Sequence, residues 1–293
     1  MTSEIEIKIP VLRNPVAMQD WSNSRIGDGR TIGCVPTMGA LHEGHLSLIR
    51  KCAEECDETI VTIFVNPLQF APNEDLDKYP RDEESDLKLA LQAGATAAYC
   101  PSVETMYPAD RSVFIDESAM SKVLCGKTRP RHFSGVLTVV AKLFNACVPD
   151  RAYFGEKDYQ QLLLIKKMVR ELDFPVEIIH CPIIREPDGL AMSSRNKYLD
   201  DNERKQAVCL YNALKAAEKA FNDRMKNPRE IEKIAFDIIS QADSARIDYI
   251  ECRDAVTLDD IEIINRPALL ALAVFIGKTR LIDNIVLIPE TEN

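Results

Sequence analysis

Two nearly unbroken apolar runs, residues 31–35 and 59–65, mark the chain most strongly. Both are rich in β-branched residues and predict strands buried on both faces. Between them Leu46, Ile49, Ala53 and Cys56 recur at helical spacing, so the stretch predicts a β-α-β unit with a right-handed connection. Around it the pattern predicts helices over 14–25, closed by Gly27-Asp28-Gly29, and over 82–94, with a strand at 97–100. An amphipathic helix follows over 135–147, with Leu137, Val140, Ala141 and Phe144 on one face, then a strand at 151–155, a helix at 159–172 and a strand at 176–184. Strands alternating with helices predict the α/β class, a Rossmann-like parallel sheet flanked by helices. After the turn-rich Arg185-Glu186-Pro187-Asp188-Gly189 the order changes: helices over 201–225 and 228–242, then strands at 247–253, 269–276 and 281–288. Helices followed by consecutive strands predict a smaller α+β domain with an antiparallel sheet. The expected domains are therefore residues 1–184 and 185–293.

Composition adds little to fold but excludes several functions. Hydrophobic residues at 46% and charged ones at 28%, with no repeat, describe an ordinary globular protein. A net charge of −10 argues against a nucleic-acid or membrane-surface role. No apolar run reaches membrane-spanning length, and the alternating Glu and Ile of residues 1–10 lack the apolar centre of a secretory leader. Nine scattered cysteines, an odd number, suit reduced thiols and a cytoplasmic location, and the helical pair Cys52 and Cys56 reads as core filler. Against this acidic background Lys127-Thr128-Arg129-Pro130-Arg131-His132 carries three fixed cations and no acid; by itself the run reads as a solvated loop, and it becomes a site for a carboxylate or phosphate only with the family resemblance of the block beside it, given below.

The candidate chemistry sits where predicted strands give way to helices. The turn Pro36-Thr37-Met38-Gly39-Ala40-Leu41-His42-Glu43-Gly44-His45 joins the first strand to its helix, at the carboxyl end of a parallel strand, where open α/β sheets bind ligands. Gly39 and Gly44 permit close approach, and a helix beginning near Gly44 points open N–H groups and a positive dipole end at an anion. His42 and His45 can donate to that same anion. A zinc pair is the competing reading; the chain has only four histidines and no cysteine at finger-like spacing from these two. Asn66 and Gln69 follow the second strand on the same side, and Gly155-Glu156-Lys157-Asp158 forms another strand-end turn with a cation in it.

His-x-Gly-His in this setting resembles the signature of the nucleotidyltransferase superfamily that includes class I aminoacyl-tRNA synthetases. The fuller decapeptide at 36–45 resembles the pantothenate synthetase family. That likeness continues through Phe64-Val65-Asn66-Pro67-Leu68-Gln69-Phe70, Arg129-Pro130 with His132-Phe133-Ser134-Gly135-Val136, Phe154-Gly155-Glu156-Lys157-Asp158-Tyr159-Gln160-Gln161 and Met192-Ser193-Ser194-Arg195-Asn196, in family order. One departure stands out: Arg131 replaces the family's glycine, at a point where glycine can take φ > 0 and arginine rarely does.

The resemblance implies an AMP-forming ligase that joins pantoate to β-alanine through a pantoyl adenylate, using ATP with Mg²⁺ and no tightly bound cofactor. It assigns ATP to Met38, Gly39, Ala40, Leu41, His42, Glu43, Gly44 and His45, to Gly155, Glu156, Lys157 and Asp158, and to Ile184, Met192, Ser193, Ser194 and Arg195. His45 is the implied catalytic residue; Gln69 and Gln161 are implied to hold pantoate, with Gln69 also bordering β-alanine. No metal-ligating residues are assigned. A homodimer and a smaller domain closing over the ATP site are further implications. The alternatives are another His-x-Gly-His adenylyltransferase, which makes a nucleotide product and needs no amine, and a catalytically silent nucleotide-binding protein.

Overall fold

A computed structural model describes residues 9–72 and 74–289. Residues 1–8, on which most of the N-terminal reading rests, lie outside it. By internal packing the chain divides into two compact units: Met1–Ser121 with Arg129–Glu156 and Gln161–Pro182, and Lys122–Thr128 with Lys157–Gln160 and Ile183–Asn293.

In the first unit, strands β1 (Val11–Leu12), β2 (Ile32–Thr37), β3 (Glu58–Ile63), β4 (Ala97–Tyr99), β5 (Arg151–Gly155) and β6 (Glu177–Cys181) form one sheet in the order β1-β4-β3-β2-β5-β6. Every pairing is parallel, with Thr37 opposite Ile63 and Cys34 opposite both Ile60 and Ala152. The expected Rossmann-like sheet is present. Helices α1 (Pro15–Gly27), α2 (Glu43–Glu55), α3 (Glu83–Gln92), the short α4 (Val103–Met106), α6 (His132–Cys147) and most of α7 (Tyr159–Glu171) belong to this unit. β2 and β3 are almost wholly buried, as their unbroken apolar runs require. From β2 the chain runs outward to β3 and β4 and then returns to β5 on β2's other side. The carboxyl ends of β2 and β5 thus flank the sheet's topological switch point.

In the second unit β7 (Ala245–Asp254), β8 (Ala268–Ile276) and β9 (Thr279–Leu287) make the expected antiparallel sheet, with β8 central. Leu270, Leu272 and Val274 of β8 share a core with Leu210, Leu214 and Ile231 from α9 (Cys209–Asn222) and α10 (Pro228–Ile239). The single helix expected over 201–225 is two: α8 (Asp201–Gln206) ends at the Ala207–Val208 step, and α9 starts anew. The one-turn helix α5 (Cys125–Thr128) also falls here. A partly buried guanidinium–carboxylate pair ties the 185–189 turn region to β9, half-buried Arg185 meeting both oxygens of buried Asp283 at 2.6 and 3.0 Å. All nine cysteines are free thiols, and no helix among the described residues is long and apolar enough to cross a membrane.

Candidate active site

The turn after β2 is built on backbone that few residues accept. Gly39 and Ala40 both lie in the left-handed region, at φ +79° and +51°. Thr37 braces the near side: its hydroxyl donates to the Thr62 carbonyl at 2.7 Å and accepts from the Gly39 N–H at 3.1 Å. Asp86 of α3 braces the far side by accepting from the Ala40 and Leu41 N–H groups. The chain then straightens at His42, φ −140°, which caps α2.

That cap changes the chemistry expected of the turn. His42 Nδ1 accepts from the Gly44 N–H at 3.1 Å, and His45 Nδ1 accepts from the His42 N–H at 3.4 Å, a reciprocal capping box made of two imidazoles. The Gly44 amide is therefore spent on a ring rather than left open to an anion. In a neutral imidazole that accepts at Nδ1 the proton sits on Nε2. Both rings, centroids 4.1 Å apart, thus carry an Nε2–H donor at the positive end of α2. Glu43 turns along the helix to pair with Arg50. Beside the turn lies a pocket of about 240 Å³ lined by Met38, Gly39, Phe64, Asp82 and Asp86.

After β3, a short 3-10 turn, Pro67–Gln69, presents the next block. The Gln69 amide donates to Met38 Sδ at 3.1 Å and accepts from Asn66 Nδ2 at 2.9 Å, so two candidate residues from different blocks meet. Asn66 is 1% exposed and also bonds the Gly135 carbonyl, the Leu68 N–H and the Tyr107 hydroxyl. Burial without partners would be costly for such an amide, and each of its polar atoms has one. The basic run makes contacts within the chain. Arg129 forks onto Glu74 at 2.5 and 2.6 Å and donates to the Gln69 carbonyl at 3.1 Å; His132 Nδ1 meets that same carbonyl at 2.8 Å. Lys127 pairs with Glu251. Burial alone would raise the Glu74 carboxyl, and the Arg129 fork overrides it and holds the group below its ordinary value. Two of the three fixed cations are thus matched by the chain's own carboxylates, and the block acts as a clamp on Gln69. Arg131 sits at φ −105°, so the departure from glycine costs no left-handed strain.

β5 ends at Gly155 as expected, and Glu156–Asp158 form one 3-10 turn. Glu156 meets His180 of β6 at 2.5 Å. In the second unit Lys157 lies 3.3 Å from Asp158, and Asn284 of β9 donates to the Lys157 carbonyl at 2.9 Å. There too Met192 bonds the Ile184 carbonyl at 3.0 Å, and Ser193 caps a 3-10 turn, Ser194–Tyr198, by accepting from the Arg195 N–H. The adjacent glutamines have separate environments: Gln160 is buried and bonded to the Cys125 N–H and the Val123 carbonyl, whereas Gln161 is half-buried. Sequence reasoning missed Asp86, Tyr107 and Asn284, whose partners are distant in the chain and leave no local signal.

Comparison with known proteins shows the family. The Pantoate-beta-alanine ligase family model matches residues 10–286. Pantothenate synthetase of Thermotoga neapolitana is 52% identical over 270 residues, covering 92% of this chain and 96% of that protein. The crystal structure of pantothenate synthetase from Thermus thermophilus superposes with a TM-score of 0.91 at 39% identity, covering 96% of this chain and all of that one. Pantoate-beta-alanine ligase from Francisella tularensis, crystallised with beta-gamma ATP and beta-alanine, gives 0.79 at 37% identity over 95% of this chain and 97% of that one. On its blocks, its two sheets and these matches, the chain belongs to the pantoate-β-alanine ligase family and is an enzyme of that family.

Proposed function

We propose that the protein condenses (R)-pantoate with β-alanine at the expense of ATP, giving pantothenate, AMP and pyrophosphate. The observation that carries the reading is the imidazole pair, which puts two Nε2–H donors at one helix start inside a chain of this family. Pantoate's carboxylate is a poor acylating agent because its leaving group would be oxide. Attack of a carboxylate oxygen on the α-phosphorus of ATP forms a P–O bond, breaks the α–β bridge and releases pyrophosphate. The deprotonated amine of β-alanine then attacks the acyl carbon of pantoyl adenylate and expels AMP. Negative charge grows on phosphate oxygens in the first step, and fixed donors aimed at that charge lower the barrier because they need no reorganisation. His45 is the catalytic donor in this reading, with His42 beside it.

The remaining assignments rest on the family resemblance: Lys157, Ser193, Ser194 and Arg195 for the phosphates, Gln69 and Gln161 for pantoate, and Gln69 for β-alanine. So do a homodimer, a cytoplasmic location, and a division in which residues 1–184 bind nucleotide and pantoate while 185–293 contribute Met192 to Arg195. Among the described residues no three His, Cys, Asp or Glu side chains converge on a metal position, and Mg²⁺ is assigned to the triphosphate as part of the substrate.

The deciding assay follows AMP with pantoate and β-alanine omitted in turn. The ligase releases AMP only with both present and exchanges pyrophosphate with pantoate alone. Another adenylyltransferase would turn over without the amine. Gln69→Ala and Gln161→Ala should each raise the KM for pantoate about tenfold, the worth of roughly one hydrogen bond to a charged group, while the ATP KM moves little. Titrating each substrate separately checks this, and an equal effect on ATP would remove both residues from the pantoate site. His132→Ala, which leaves Arg129 in place on the Gln69 carbonyl, should raise the pantoate KM by only ~2- to 5-fold, since one of two donors to that carbonyl survives.

A further inference from the structure

Asp86 belongs to no family block identified in the sequence and lies 41 residues beyond His45, yet its carboxylate is built into the turn that delivers both histidines. It is 3% exposed. Oδ2 accepts from the Ala40 N–H at 2.8 Å and Oδ1 from the Leu41 N–H at 2.7 Å, so each oxygen holds one of two successive amides. Those amides follow directly on the left-handed pair Gly39 and Ala40, and a Cβ added to Gly39 would stand 2.8 Å from Oδ2. The carboxylate therefore fills the space that only a glycine leaves open. Ala40 at φ +51° is a conformation that costs an alanine roughly 1–2 kcal/mol and persists only where its surroundings enforce it. Two charge-assisted bonds onto the following peptides supply that enforcement. Beyond Leu41 comes His42, whose ring caps α2 and whose own N–H is received by His45. No other residue intervenes between the clamp and the first ring.

We propose that Asp86 is a positioning residue for the reaction: its carboxylate locks the 39–41 turn and thereby fixes where the His42–His45 imidazole pair presents its Nε2–H donors. This rests on the functional reading above. Asparagine at position 86 keeps the shape but offers one acceptor where two are needed and faces the second amide with an N–H₂ group, so the turn must shift. Misplacement of reacting groups on the ångström scale costs on the order of 10²-fold in rate.

The test compares the parent with Asp86→Asn in pantoate-dependent ATP–pyrophosphate exchange and in the ¹⁵N spectrum of the histidine rings. The expected variant is folded, with kcat for exchange down ~10- to 100-fold, KM for ATP changed much less, and altered ring-nitrogen shifts at His42 and His45 that report loss of the Nδ1-acceptor tautomer. Exchange within about twofold of the parent overturns the proposal, as does a fall in kcat with unchanged ring shifts, since Asp86 would then act by another route. If the asparagine variant does not fold, the same two readouts on Asp86→Glu decide it, because glutamate keeps the charge while moving both acceptors by a methylene. Failure of the functional reading looks different: the parent itself would then show no pantoate-dependent exchange.

Discussion

His45→Ala is expected to lower the rate of pantoyl-adenylate formation by ~10²- to 10³-fold, the usual loss when one preorganised donor to a developing oxyanion is removed. The structure makes His45 a helix cap and the proposed function adds a donor role, and the size of the effect tells the two apart. As a cap, its Nδ1 receives the His42 N–H across 3.4 Å, a long bond. Losing a helix cap typically costs about 1 kcal/mol, visible as a small shift in a urea midpoint and nearly invisible to an assay run on folded protein. As a donor, its Nε2–H acts only while charge grows on phosphate, so its loss should appear in kcat far more than in the KM for ATP. Pantoate-dependent pyrophosphate exchange measures that step alone. A variant that unfolds about 1 kcal/mol sooner yet exchanges at close to the parent rate would leave His45 as a cap and take it out of the mechanism. His42→Ala is the informative partner, because it removes the acceptor of the Gly44 N–H together with its own donor.

What could be read from the sequence divides along the range of the interactions involved. β2, β3 and β8 announce themselves because a strand buried on both faces needs an unbroken apolar run, and 32–37, 58–63 and 268–276 nearly supply one. β1 does not: two residues, Val11 and Leu12, are a strand only because Ala98 and Tyr99 lie beside them. The break between α8 and α9 has no proline or glycine to signal it. α8 is defined instead by its reciprocal cap between Asp200 and Glu203, and the apolar spacing runs on past its end. The same division holds at the site. The imidazole pair is local, and its spacing placed it correctly at a helix start; the use of the Gly44 amide as a cap donor depended on ring orientation, which residue spacing does not specify. The sign of the 127–132 run was legible, whereas the carboxylates Glu74 and Glu251 that pair with two of its three fixed cations were not. Gln160 and Gln161 are identical side by side, and only packing separates the one bonded to residues 123 and 125.

Gly135→Ala should cost about 1–3 kcal/mol of stability and raise the pantoate KM by at least as much as Gln69→Ala does, with the ATP KM little changed. Two effects oppose each other here. In a helix interior alanine is favoured over glycine by roughly 0.5–1 kcal/mol, so propensity alone predicts a more stable protein. Against it, a Cβ at 135 would stand 2.5 Å from the Leu68 carbonyl oxygen, 2.6 Å from its carbon and 2.8 Å from the Gln69 nitrogen. All three are backbone atoms, which cannot rotate aside as the end of a side chain would. The turn carrying them is also pinned, by Asn66 to the Gly135 carbonyl and Tyr107 and by Arg129 and His132 to the Gln69 carbonyl. Either α6 or the 67–69 turn has to move, and both routes displace the Gln69 amide from Met38. Overpacking wins because neither surface can give without breaking a bond in that network. Gly27→Ala, at the last residue of α1 with nothing within 4 Å of the added carbon, is the matched control and should be neutral or slightly stabilising. Urea unfolding and separate substrate titrations of the two variants decide the matter. If Gly135→Ala matches the parent in stability and pantoate KM, the tight seat of the turn against α6 has no bearing on how Gln69 is held.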